Sequence, residues 1–278
     1  MITVNQLSYK YPHSHKHTID NLSLSILPGR TYGLLGANGI GKSTLMYLIA
    51  GLLKPTVGTV DFNGTSVIKR IPSILSDTFI VPEEINLPHI SIENYVKHNA
   101  PFYPRFSDEK FREYLTEFRL TRDMHLGRIS MGQKKKAIIA FALACNTSLL
   151  LLDEPTNGLD IPGKSEFRRA LINSTSADRI VIVSTHQVRD LDYILDAVIM
   201  LNENGLVLNS LLSSIQQKFR FNFTSDSAEA DKALWSQRTA GGYDTITVRN
   251  EDESETDVNL ESLFEFAYSN PKIFIDFK

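Results

Sequence analysis

The nine residues GANGIGKST, Gly36 to Thr44, constrain this chain more than any other stretch. They fit the spacing G-x-x-x-x-G-K-[ST], with the apolar run TYGLLG before them and the amphipathic KSTLMYLIAGLL after. Such a segment folds as strand, glycine-rich turn and helix. Glycines let successive backbone N–H groups converge without a Cβ in the way, and the helix N-terminus adds its partial positive charge. That convergence suits phosphate oxygens. Lys42 is expected to reach the β- and γ-phosphates and Ser43 to offer its hydroxyl to Mg²⁺, while Gly36, Asn38, Gly39, Gly41 and Thr44 complete the cradle. ATP with Mg²⁺ is the expected ligand.

Two further strand ends carry chemistry. LLLLDEPTNGLD, Leu149 to Asp160, sets Asp153 and Glu154 at the end of a short apolar run, the edge where open α/β sheets bind ligands. Asp153 would hold Mg²⁺, directly or through water, opposite Ser43. Glu154, one residue on, turns the other way and could polarise a water for attack on the γ-phosphate. DRIVIVSTH ends at His186, which would emerge at the same edge and hydrogen-bond the γ-phosphate and the attacking water. By itself ISMGQKKKA, Ile129 to Ala137, reads as a helix start: Ser130 is a good N-cap, and Lys134, Lys135 and Lys136 form its exposed basic beginning.

Short apolar runs alternating with helical patterns predict an α/β domain with a mostly parallel sheet. Residues 2–30 add two alternating strands around the polar turn PHSHKH, TVGTVDFNG a hairpin turning at Asn63-Gly64, and LDAVIMLNENGLVLN a hairpin turning at Asn204-Gly205. Prolines recurring from Ile71 to Pro104 imply short elements and loops, followed by a helix capped by Ser107. After about residue 215 the texture changes: FRFNFT and DTITVR read as strands, EDESETD as a solvated acidic loop and VNLESLFEFAYS as an amphipathic helix. The chain is therefore divided into residues 1–215, with a helical subdomain at about 84–145, and a small α+β appendage at 216–278.

A formal charge of −3 gives no case for nucleic acid, and no apolar run approaches the roughly twenty residues of a membrane span. The N-terminus has no signal-peptide core, so a soluble chain is expected, with any membrane role passing through a partner. The single cysteine, Cys145, sits in AIIAFALACN and is expected to be a buried structural thiol. His13, His15 and His17 alternate, but a solvated loop is the simpler expectation for them.

GANGIGKST, ISMGQ, LLLLDEPTNGLD and STH occur in the order and spacing of the ATP-binding cassette (ABC) ATPases, and over roughly residues 1–215 the chain resembles that family. The resemblance implies the P-loop cassette fold: a mostly parallel sheet core, an antiparallel β subdomain and an α-helical subdomain, here with a C-terminal α+β appendage. It implies ATP hydrolysis by two nucleotide-binding domains, identical or related chains, that sandwich two ATPs head to tail. Ser130, Gly132 and Gln133 would then contact the γ-phosphate held by the partner's Lys42, and Asp160 would sit in the loop that communicates across the dimer. Tyr11 lies where the family stacks an aromatic on adenine, with Tyr9 the competing choice. Ile129 and Met131 depart from the usual L-S-G-G-Q, and Glu83, in FIVPEE, stands where the family has a Mg²⁺-touching glutamine, with Glu84 as the alternative. APFYPRFSDEKFREYLTEF resembles the helical subdomain of bacterial exporters whose permease is a separate membrane chain, with Ile85–Phe106 receiving it. The implied location is cytoplasmic, on the inner face of the cell membrane through that permease. A macromolecule-remodelling cassette ATPase is the alternative, and a small-molecule kinase leaves ISMGQ and NGLD unexplained.

Overall fold

The computed structural model describes residues 1–191, 193–250 and 252–277. The chain opens with antiparallel strands β1 (Ile2–Tyr9) and β2 (Ile19–Ile26), then β3 (Arg30–Leu35), which delivers the phosphate loop to α1 (Lys42–Ile49). β4 (Val57–Phe62) and β5 (Thr65–Ser66) form the hairpin expected at Asn63-Gly64, both of which have positive φ. Then follow α2 (Pro72–Leu75), β6 (Thr78–Val81), α3 (Ile92–Asn99), α4 (Asp108–Glu117), α5 (Met131–Ala144), β7 (Leu149–Asp153), α6 (Ile161–Asn173) and β8 (Ile180–Thr185). β9 (Ala197–Asn202) and β10 (Gly205–Leu211) make the second expected hairpin. The remainder is α7 (Leu212–Lys218), β11 (Phe219–Thr224), α8 (Ser227–Ala230), β12 (Trp235–Thr239), β13 (Gly242–Val248) and α9 (Leu260–Ser269).

β2-β1-β4-β5 form one antiparallel sheet, and β10-β9-β3-β8-β7-β6 form the central one, parallel except for β10. The short apolar runs become strands buried on both faces. In β7, Leu150 and Leu152 face α3 to α6, whereas Leu149 and Leu151 face α1 and the antiparallel sheet. Val181 and Val183 against Ile180 and Ile182 repeat the division in β8. A sheet with two covered faces can have no polar positions inside, which is why alternation vanishes from these runs.

α5 runs through the larger core. Its Phe141 ring lies 5.3 to 6.3 Å from those of Phe79, Tyr95, Tyr103, Phe106 and Phe111. This packing corrects the reading of the three lysines as an exposed start. Lys135 is only 4 % exposed, and Lys136 is turned inward onto Glu166 at 2.7 Å. Lys135 is covered by the loop after β7 and Lys136 by α6, so among the described residues only Lys134 of the three has no such cover. Cys145 is buried at the end of this helix, as expected.

Prolines concealed α3, which begins at the Ser91 cap between Pro88 and Pro101. β12 was also missed, because WSQRT is polar and pairs only along the edge of the three-stranded sheet β11-β13-β12. The division at residue 215 falls inside α7, and Phe219, Ile246, Leu263 and Phe266 belong to the same continuous core as Val188, Leu195 and Leu208. Of the expected acidic loop, Glu251 lies outside the described residues, and Asp252 and Glu255 are exposed. His13, His15 and His17 are exposed, with His17 3.1 Å from Asp20.

Replacing Phe141 with Ala empties the centre of the aromatic cluster and is expected to cost about 3–5 kcal/mol. The urea midpoint measures it, and a loss below about 1 kcal/mol would show that the cluster repacks freely. Burial pushes the Cys145 thiol well up from its ordinary value, against a weaker opposing pull from Arg179, so thiolate is absent at neutral pH. A thiol-exchange reagent should modify Cys145 only after denaturation. Stoichiometric modification of the folded protein would contradict this burial.

Candidate nucleotide site

β3 ends at Leu35 and the chain turns through Gly36 to Gly41 into α1. Gly41 is the N-cap with φ 108°, a left-handed conformation suited to glycine, and a Cβ there would meet the Thr18 carbonyl at 3.0 Å. No side chain caps α1, so its first amides are free for an anion. The Lys42 side chain folds back over the loop, its Nζ donating to the carbonyls of Gly36 at 2.8 Å and Ala37 at 3.2 Å. Burial lowers the Lys42 ammonium from its ordinary value, while Glu154, Asp153 and Glu83 oppose that shift.

Parallel pairing sets the opposite wall. Asp153 of β7 stands beside Ser184 of β8, and Ser184 Oγ donates to Asp153 Oδ1 at 2.5 Å. The Glu154 N–H is held by the Ser184 hydroxyl at 3.0 Å and carbonyl at 3.2 Å. Glu154 itself adopts φ 45°, a sparsely populated conformation for a side chain with a Cβ. That turn sends its carboxylate to His186, with Oε1 2.9 Å from Nδ1 and 4.0 Å from Lys42 Nζ. Asp153 is thus held by Ser184, whereas Glu154 reaches His186.

A cleft of about 520 Å³ gathers Tyr11, Asn38, Gly39, Gly41, Lys42, Ser43, Thr44, Glu83, Glu154 and His186. Thr18, which sequence reading did not single out, also lines it. Gly36 stands outside this cleft, lining a neighbouring one beside Thr185 and His186, and contributes the carbonyl that holds Lys42. Tyr9 is buried in the core, whereas Tyr11 lies half exposed on the rim, its hydroxyl 3.1 Å from Thr44 Oγ1. Glu83 rather than Glu84 lines the cleft, and its Oε1 accepts from Asn157 Nδ2 at 3.1 Å.

Asp153 Oδ2 and Glu154 Oε2 are buried and, among the described residues, have no hydrogen-bond partner. Buried carboxylate oxygens without partners are costly, and a cation satisfies them. Among the described residues no cluster of three or more His, Cys, Asp and Glu could hold a metal alone. Mg²⁺ does not need one, because it keeps waters and phosphate oxygens as ligands beside one or two protein groups. The residues present fit it.

The ISMGQ segment lies elsewhere. Ser130 caps α5 in a capping box: Ser130 Oγ accepts from the Gln133 N–H at 3.2 Å, and Gln133 Oε1 accepts from the Ser130 N–H at 3.0 Å. A Cβ on Gly132 would come within 3.0 Å of the Gly158 carbonyl, so the helix start abuts the loop after β7. Met131 is 59 % exposed on that surface. Ser130, Gly132, Gln133 and Asp160 share a concavity of about 630 Å³ that has no lining residue in common with the phosphate cleft. Asp160 caps α6, accepting from the Gly163 N–H at 2.9 Å.

Known proteins give the same picture. The chain is 28 % identical over 219 residues to ABC transporter A family member 1 of Dictyostelium discoideum, covering 76 % of this chain but 24 % of that longer protein. It is 29 % identical to the bacitracin transport ATP-binding protein BcrA of Bacillus licheniformis, covering 78 % of this chain and 72 % of the relative. The structure of CbiO1 from Clostridium perfringens, part of the ABC transporter complex CbiONQ, superimposes with a TM-score of 0.64 at 26 % identity, covering 77 % and 89 %. The ABC transporter family model matches residues 19–157, which run from β2 through the phosphate loop and ISMGQ to the acidic strand end, and the chain belongs to that family as one of its ATP-binding ATPase domains.

Proposed function

We propose that the chain is the ATPase subunit of an exporter, that two such domains close head to tail on ATP, and that the closed pair drives a separate membrane permease. The observation that carries this reading is the separation of the phosphate cleft from the Ser130–Gly132–Gln133 surface. Beyond capping α5, these polar groups could then meet a γ-phosphate only in another domain's cleft. No helix of the described residues is long and apolar enough to cross a membrane, and in this reading the permease supplies the spans. Likeness to BcrA and to a component of CbiONQ supports a transporter built from separate chains.

In this reading Tyr11 stacks on adenine, the α1 amides and Lys42 bind the phosphates, and Ser43, Asp153 and Glu83 hold Mg²⁺. The metal would neutralise charge between the β- and γ-phosphates. Glu154 accepts the proton of the attacking water, and the strained turn at this residue keeps its carboxylate within reach of His186. His186 orients that water and the γ-phosphate. Asp160 carries contact between the two sites. For the permease surface, Phe102 is the exposed anchor at 70 %, because Tyr95, Tyr103 and Phe106 are packed against Phe141. The elements from β11 to α9 are an extension of the cassette that shares its core, and the assembly sits on the cytoplasmic face of the membrane.

Glu154→Gln should keep ATP binding, slow hydrolysis by about 10²–10⁴-fold and accumulate an ATP-bound dimer in light scattering. Lys42→Ala should lose ATP binding in the same experiment. Near-normal hydrolysis in Glu154→Gln would remove this residue from the base role. The exporter reading is tested by affinity purification from membranes of the native host. A multi-span membrane protein should co-purify, and less of it with Phe102→Asp. Recovery of the chain with ribosomes or DNA-repair proteins and no membrane protein would overturn the reading.

A further inference from the structure

Lys135 is the charged group that the nucleotide chemistry does not use. It is 4 % exposed, and its Nζ donates to the backbone carbonyls of Glu154 at 2.7 Å and Asn157 at 3.1 Å. Asn157 in turn donates from its side chain to Glu83. A single chain of contacts therefore runs from the segment bearing Glu154, through Lys135 and Asn157, to Glu83. Glu83 also places a carboxylate in the lining of a cleft that this reading gives to a triphosphate.

Glu83 and Glu154 line the cleft, with Asp153 buried beside Glu154. Lys42 lies 4.0 Å from Glu154, and Lys135 is the second buried ammonium here, joined to Glu83 through Asn157. Burying an ammonium is costly without partners that favour its charge. Burial indeed lowers Lys135 from its ordinary value, and Glu83, then Glu154 and Asp153, pull the other way. Two neutral carbonyls satisfy the hydrogen bonds of Lys135 but not its charge. The nearest carboxylate route is to Glu83, through the Asn157 carbonyl that Lys135 holds and the Asn157 amide that Glu83 accepts from.

We propose that Lys135 is the charge partner of Glu83, a positioning residue buried behind the Glu154 segment that allows a glutamate to stand beside the triphosphate. The inference rests on the nucleotide reading above. Without Lys135, the second negative wall group would repel ATP. With Glu83 made neutral, Lys135 would no longer be needed for binding.

Calorimetric titration of the full chain with ATP, in EDTA and again with Mg²⁺, tests the pair. Lys135→Gln keeps a donor for the carbonyls and removes the charge, and it should weaken ATP binding in EDTA by about tenfold. Adding Glu83→Gln to the same chain should restore affinity to within about twofold of wild type, and Lys135→Arg should bind as wild type. An unaltered affinity in Lys135→Gln, an equal loss with and without Glu83→Gln, or an equal loss in Lys135→Arg would each overturn the proposal. If Lys135→Gln does not fold, Glu83→Gln must restore its folding; a double variant that stays unfolded overturns the pair as well. Lys42→Ala separates the two readings. Its unchanged binding would overturn the phosphate site itself, whereas its loss beside a silent Lys135→Gln overturns only the role of Lys135.

Discussion

The register of three parallel strands is the constraint on which the site depends. Leu35 pairs with Thr185 and Asp153 pairs with Ser184, so β3, β8 and β7 end at one level. From that level the phosphate loop, His186 and the Asp153-Glu154 pair leave the same edge of the sheet. A shift of one residue in β7 would turn every side chain to the other face, sending Asp153 and its leucines into the wrong layer. The apolar packing on both faces forbids that shift, because Leu149 to Leu152 are all fully buried. Core packing thus fixes the chemistry's geometry to within the reach of a hydrogen bond.

Within that frame the polar groups are held by substitutes for a nucleotide. Lys42 rests on the loop carbonyls, and Ser130 and Gln133 satisfy each other across the capping box. The Ser130–Gln133 bonds are neutral, and a charge-assisted bond to phosphate is roughly twice as strong as such a bond; Lys42 would exchange neutral carbonyl acceptors for an anion. Helix-capping and phosphate-binding readings of ISMGQ are therefore not rivals. In the proposed head-to-tail pair, the hydroxyl that caps α5 would turn to the γ-phosphate of the other domain.

How much of this was legible depended on whether the cause was local. The phosphate loop and the acidic strand end could be read directly, because glycine, lysine and paired carboxylates at fixed spacing leave few other folds or uses. The preference for Tyr11 over Tyr9 rests in sequence on little more than the proline after Tyr11; the packing of Tyr9 into the core, with Tyr11 on the cleft, agrees with it. Lys135 was invisible for the opposite reason. Three lysines in a row look solvated, and nothing local announces that the loop after β7 covers the middle one. β12 was hidden by its polarity, which suits an edge strand but resembles a loop. The continuous core joining β11, β13 and α9 to the cassette likewise depends on contacts far apart in sequence.

The central claim is that one chain holds two incomplete halves of a site. Mixing two inactive variants, Lys42→Ala and Ser130→Arg, tests it most directly. The first lacks a phosphate loop lysine and the second an intact signature, so a mixed pair has one site built wholly from undamaged halves. Steady-state ATP hydrolysis in an equimolar mixture should recover to roughly a quarter of wild-type turnover if chains exchange at random. A mixture no more active than either variant alone would contradict the claim.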